Sequence, residues 1–191
     1  MTKQILNEEK IMETAITLIT NGREVTFSSV AKQLGTRSQA LYTYFANADE
    51  LRYAVVASVV KDIADQLKNV LFGQSGKSAI VQFAKFIRQK ALSNVQLSRF
   101  VLASPRTNDI ESVVSAFAEL KQMLDRLLGS VYSDPTVLML ASRCIRDFII
   151  GDVLNVGAGW FTSPEITPTE SFEKLLDENL AMLTRMNDNR G

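Results

Sequence analysis

Arg37, Ser38 and Gln39 stand together in the chain and are followed closely by Tyr42, Thr43 and Tyr44. These residue types suit nucleic acid. An arginine fork pairs with guanine O6 and N7, a glutamine amide pairs with adenine, and hydroxyls donate to phosphate oxygens. Thr26 and Lys32 just upstream add two further candidates for phosphate contact. The rest of the chain offers little competing chemistry. It has no histidine and one cysteine, Cys144, which excludes a Cys/His zinc site, an internal disulfide and every His-based triad. No Asp/Glu pair stands at recognisable spacing on an apolar helix face, so no acid–base constellation emerges. The chain reads as a binding protein without a cofactor rather than an enzyme. Cys144 reads as a small buried hydrophobe.

The elements that must position these side chains run from Thr26 to Leu51, TFSSVAKQLGTRSQALYTYFANADEL. Thr26 is a good helix N-cap with Ser29 at the third position, and Val25 and Val30 occupy the two staple positions. Val30, Ala31 and Leu34 form one apolar stripe, which stops at Gly35. A second helix is expected from Thr36 or Arg37, with Thr36 and Gln39 as a capping box and Leu41 and Phe45 pointing inward. Upstream, Asn7 to Thr20 carries an amphipathic stripe of Ile11, Ala15, Leu18 and Ile19, closing a small core with Val30, Leu41 and Phe45. Two helices joined by a short turn, the second with a polar start, match the plan of a helix-turn-helix DNA reader.

Gly35, Leu41-Tyr42, Phe45 and the Asp49-Glu50-Leu51 run resemble the N-terminal signature of the TetR-family transcriptional regulators, with Val30-Ala31 as its hydrophobic-Ala pair and Tyr44 at its His/Tyr position. The chain departs from that signature twice: Arg37 replaces a small hydroxyl residue, and Ala48 replaces a lysine that contacts phosphate. The resemblance implies phosphate contacts from the hydroxyls of Tyr42 and Tyr44. It also implies an all-α protein with a three-helix DNA-binding head on a larger helical domain that binds a ligand and dimerises. Residues 1–47 would be the head and residues 48–191 the second domain.

Periodicity over the remainder supports helices alone, about nine in all, with no strand-like alternation. A long helix begins after Asn47, with Leu51, Ala54, Val55, Ser58, Val59, Asp62, Ile63 and Leu67 on its inner face. Others are expected from Lys77 to about Leu92, from Val95 to Leu102, from a cap at Asp109 to Leu128, from Pro135 to about Val156 and from about Thr169 to Met186. The tail from Asn187 reads as frayed. At 191 residues, with 46% apolar and 22% charged residues, the composition is that of a globular protein. Neither a signal peptide nor a membrane-spanning run is visible, which makes the cytoplasm the expected compartment. Lys and Arg total 21 and Asp and Glu total 21, for a net charge of +0. Between Thr26 and Asn47, however, there are two cations, Lys32 and Arg37, and no acid. Such a mildly basic surface needs two copies on two half-sites for useful affinity.

The resemblance therefore implies a homodimeric repressor on a palindromic operator in double-stranded DNA, paired through its last two helices and modulated by a small-molecule effector. Phe83, Phe86, Phe100, Phe117, Trp160 and Phe161 are the aromatic candidates for lining its cavity, with Arg99 as a polar anchor. A plain packed core is the competing reading of these aromatics. The alternative function is an all-helical small-molecule-binding protein whose helix-turn-helix head serves protein contacts.

Overall fold

The computed structural model describes residues 6–189. Eight α-helices and one 3-10 helix make up the described residues, with no strand. The α-helices are α1 (Glu8–Thr20), α2 (Phe27–Leu34), α3 (Ala48–Val70), α4 (Gly76–Ser93), α5 (Val95–Ala103), α6 (Glu111–Gly129), α7 (Pro135–Gly157) and α8 (Pro168–Asp188); the 3-10 helix is Ser38–Thr43. The all-helical expectation is met.

The packing forms two compact units. One contains residues 1–61 and 94–117, and the other contains residues 62–93 and 118–191. The expected division of roles at 47/48 is therefore not where the packing divides, because α3 and α6 each contribute to both units.

In the first unit, Ile11, Ala15 and Leu18 of α1 pack with Phe27 and Val30 of α2, with Leu41 and Phe45 of the reading segment, and with Leu51 and Val55 of α3. This is the small core expected from the sequence, with Phe27 added. α1 is capped by Asn7, whose Oδ1 accepts the Lys10 N–H at 2.9 Å.

The core of the second unit is built on α4, α7 and α8. Ile80, Phe83 and Ala84 meet Ala141, Ile145 and Ile149, and α8 adds Phe172, Leu176 and Leu180. Pro135 starts α7 behind an Asp134 cap, as its sequence requires. The wide apolar circumference of α7 is only partly buried, since Met139, Leu140, Ile150 and Leu154 are exposed in the single chain. On α8, Leu175 and Met182 are exposed as well.

Four local expectations are corrected. The buried positions of α3 step from Leu51 and Val55 to Val56, Val60, Ala64 and Leu67. Asp62 is consequently exposed, because a 3.6-residue repeat carries a fixed stripe around the axis over a long helix. Asp109 does not cap α6: its N–H is taken by Thr107 Oγ1, and the helix begins at Glu111. The start of α8, expected at about Thr169, is set instead by a T-x-x-E capping box at Thr167, with the Glu170 carboxylate returning to the Thr167 N–H at 3.0 Å. Lastly, Asn187 is not frayed. It lies in α8, and its Oδ1 accepts the N–H groups of Ser133 and Asp134 at 2.9 and 3.1 Å. Arg190 and Gly191 lie outside the described residues.

Candidate nucleic-acid interface

The reading segment is placed by how α2 begins and ends. Thr26 Oγ1 accepts the Ser29 N–H at 3.0 Å and Ser29 Oγ accepts the Thr26 N–H at 2.9 Å, a reciprocal capping box. The Thr26 hydroxyl is also 3.2 Å from Ser29 Oγ, so this side chain already serves the start of the helix. At the other end Gly35 takes φ +67°, the left-handed conformation that turns the chain after a helix. The Gly35 N–H bonds to Lys32 C=O at 3.2 Å and the Thr36 N–H to Ala31 C=O at 2.9 Å.

That closure fixes the start of the reading segment. Thr36 completes the end of α2, Arg37 is extended (φ −101°, ψ 148°), and the next segment is a 3-10 helix over Ser38–Thr43 without a side-chain cap. The expected Thr36–Gln39 capping box does not form. A T-x-x-Q spacing caps a helix only when its threonine stands just outside the first turn, and here Arg37 holds that place. The tighter 3-10 winding still buries Leu41 and leaves Arg37, Gln39, Tyr42 and Thr43 exposed. Lys32 is exposed on α2, and half-buried Ser38 lies 3.5 Å from Ser28, hydroxyl to hydroxyl.

The two tyrosines differ. Tyr42 is 61% exposed and stacks edge-on against Phe27, with ring centroids 4.8 Å apart. Its ring is braced on one side and its hydroxyl faces solvent. Tyr44 is half-buried and donates its hydroxyl hydrogen to the Leu6 carbonyl at 2.6 Å, which leaves only lone pairs on that oxygen and nothing to offer a phosphate. Neither Phe27 nor the Leu6 carbonyl stands out in the sequence reading. Phe27 carries a readable signal, since it directly succeeds the cap and lies three residues before Val30; the Leu6 carbonyl carries none.

α3 begins as its N-x-x-E pattern requires. Asn47 Oδ1 accepts the Glu50 N–H at 2.8 Å, and the Glu50 carboxylate accepts the Ala46 N–H. Both acceptors cap the N-terminal end of α3.

The expected cavity residues are divided between the two units. Phe83 is buried in the core of the second unit, and Phe86 is half-buried with Lys90 Nζ 5.7 Å from its ring centre. Trp160 and Phe161 lie just beyond α7 and are 76% and 46% exposed. In the first unit Arg99 is exposed, and Phe100 lies beneath the Arg52 guanidinium at 5.0 Å. Phe117 lines a cavity of about 190 Å³ beside Tyr53, Val101 and Val113. Aromatic residues in amphipathic helices go wherever their own helix buries its stripe, so residue type does not predict convergence. Cys144 is half-buried, and burial, with Asp147 adding to it, pushes its thiol up, away from the reactive thiolate.

No protein-family model matches the chain. It is 33% identical over 90 residues to an uncharacterised HTH-type transcriptional regulator of Mycobacterium tuberculosis, a match spanning 45% of this chain and 40% of that protein. The solved structures it resembles match over nearly their whole length. The regulatory protein SCO4313 superposes with a TM-score of 0.73 at 19% identity, covering 91% of this chain and 95% of that one. A TetR variant from Acinetobacter baumannii AYE, solved with minocycline, gives 0.72 at 18% identity, covering 96% and 99%. FadR from Bacillus subtilis, solved with stearoyl-CoA, gives 0.69 at 15% identity, covering 93% and 98%. The fold is that of the TetR-type transcriptional regulators.

Proposed function

We propose that this protein is a DNA-binding transcriptional regulator of the TetR family, a homodimeric repressor whose grip on a palindromic operator is modulated by a small-molecule effector. The observation that carries this reading is the reading segment itself. A buried core and a left-handed glycine hold a short helix whose exposed side chains are Arg37, Gln39, Tyr42 and Thr43, in a stretch from Thr26 to Asn47 without a single acid. Arg37 and Gln39 would address base edges, while Lys32, Tyr42 and Thr43 would hold phosphates and fix the register. Ser38 supports them beside Ser28, and Thr26 and Tyr44 act as scaffold.

The dimer is argued from the open apolar faces of α7 and α8, since apolar surface repeated at helical spacing calls for a partner. Two copies must present their reading segments about 34–36 Å apart to enter successive major grooves. Solved neighbours carrying minocycline and stearoyl-CoA support the effector part of the reading. An effector shifts DNA binding only by its differential affinity for the two states of the dimer. No helix among the described residues is long and apolar enough to cross a membrane, and the cytoplasm remains the proposed compartment.

The test is a titration of purified protein against the DNA upstream of its own gene at 50 and 200 mM salt. Affinity should fall steeply with salt, with a log–log slope of about −0.9 per phosphate neutralised. Arg37→Ala should lose about 1–3 kcal/mol and relax the preference for the palindrome. Tyr42→Phe should weaken specific and nonspecific DNA alike. Binding that ignores salt, or that Arg37→Ala leaves intact, would overturn the reading and make the head a surface for protein contacts.

A further inference from the structure

The cavity beside Phe117 lies wholly within the unit that contains the helix-turn-helix. Its walls are apolar: Tyr53 and Val56 from α3, Val101 from α5, and Val113 and Phe117 from α6. Leu102 and Val114, 42% and 40% exposed, stand among the lining residues and give it an apolar mouth. The link between α5 and α6 supplies the polar side.

Counting hydrogens there decides what the cavity wants. Tyr53 spends its O–H on the Pro105 carbonyl at 3.2 Å, and Ser104 spends its own on the Phe100 carbonyl at 2.8 Å. Thr107 Oγ1 accepts the Asp109 N–H at 3.1 Å, so its own hydrogen is left to donate. Arg106 adds a guanidinium, which only donates, and Asn108 an amide. No Asp or Glu lines the cavity, and Asp109 and Glu111, close in sequence, are exposed outside it. Arg106 is the one charged residue among the lining residues; with Thr107 and Asn108 it supplies the free donors, while the oxygens of Tyr53 and Ser104 keep only lone pairs.

We infer that this cavity binds a compact organic anion, its apolar body between the valines and Phe117 and its carboxylate held by Arg106. The size supports a small body. The space, about 190 Å³, is well under the ~300–1,000 Å³ typical of drug-sized ligands. The inference rests on the regulator reading only where it concerns control of DNA. There, the same stretch of α3 serves both sites: Leu51 and Val55 pack in the core beneath the reading segment, and Tyr53 and Val56 face the cavity. A ligand body packed on Tyr53 and Val56 therefore bears on the turn of α3 that supports the head.

Calorimetry on the intact protein with 3-phenylpropionate, 3-phenylpropan-1-ol and 3-phenylpropylammonium tests the site without DNA. The acid should bind once per chain, at least tenfold tighter than the alcohol, and the ammonium should not bind. Arg106→Gln should bring the acid down to the level of the alcohol. Val114→Trp and Leu102→Trp, both at exposed positions where a ring can enter the mouth, should abolish binding of acid and alcohol while the helical circular dichroism stays unchanged. Equal binding of acid and alcohol to the unaltered protein, no binding of the acid at millimolar concentration, or acid binding that survives both tryptophans would each overturn the inference. Operator affinity of the ligand-free protein is measured separately. Its loss would count against the regulator and leave the cavity result standing, whereas tight operator binding with an empty cavity would do the reverse.

Discussion

At the scale of single residues, the head depends on a few side chains and one glycine whose roles exclude substitutes. A Cβ at Gly35 would meet no atom within 4 Å, so space does not require glycine there; φ +67° does. Gly35→Ala should cost about 1–2 kcal/mol from the left-handed conformation alone, and Gly35→Asn should cost distinctly less because asparagine tolerates that region. Urea midpoints at one fixed protein concentration give the comparison, and equal losses for the two variants would show that backbone strain is not the cause. This residue, the Thr26–Ser29 box and the Asn47–Glu50 start of α3 are legible from sequence because each is a local pattern with a local cause. Tyr44 is not. Its ring is expected to pack and its hydroxyl to meet phosphate, and only the distant Leu6 carbonyl reveals that its hydrogen is engaged.

At the scale of elements, the contact that sequence reading passes over joins α4 to α7. Arg88 Nε lies 2.5 Å from Asp152 Oδ2, with side chains only 9% and 6% exposed. The guanidinium sits 4.8 Å above the Phe172 ring, and its Nη1 reaches Thr169 Oγ1 at 3.3 Å. A signal exists in the stripes themselves. Arg88 continues the Ile80–Ala84 row of α4, and Asp152 comes after Ile145 and Ile149 on α7, so each charge interrupts a buried face. Nothing in the sequence says that the two interruptions meet, since they are 64 residues apart. Removing one partner strands the other: Asp152→Ala should destabilise the protein by about 3–5 kcal/mol, whereas the pair Arg88→Met with Asp152→Leu should recover most of that loss. Thermal and urea unfolding of the three variants checks this. A double variant as unstable as the single would mean that packing around the guanidinium, rather than the stranded charge, carries the cost.

At the scale of the whole molecule, the exposed face of α7 carries Leu140, Arg143, Asp147, Ile150 and Leu154 at three- and four-residue steps. If two copies pair these faces antiparallel across a two-fold axis, the register that sets Arg143 against the partner's Asp147 also sets Leu140 against the partner's Ile150. Arg143→Asp or Asp147→Arg alone then places like charges opposite one another twice per dimer and should shift the protein towards monomer in sedimentation velocity. The double swap should restore the dimer. Singles that remain fully dimeric at micromolar concentration would place the interface elsewhere. The number and kind of elements can be read from the sequence because helical periodicity is a short-range signal. The division into packing units cannot, because α3 and α6 each read as one uninterrupted helix although each serves both units.

The bond from Tyr44 to Leu6 has a practical consequence. It fastens Leu6, just ahead of α1, to the segment that carries Arg37 and Tyr42, so Leu6 itself lies close to the proposed DNA-facing side. An affinity tag fused directly at Leu6 would add its own charge and bulk on that side, and operator affinities measured with it should differ from those measured without it. A tag placed after α8 or removed by protease leaves the first measurement clean.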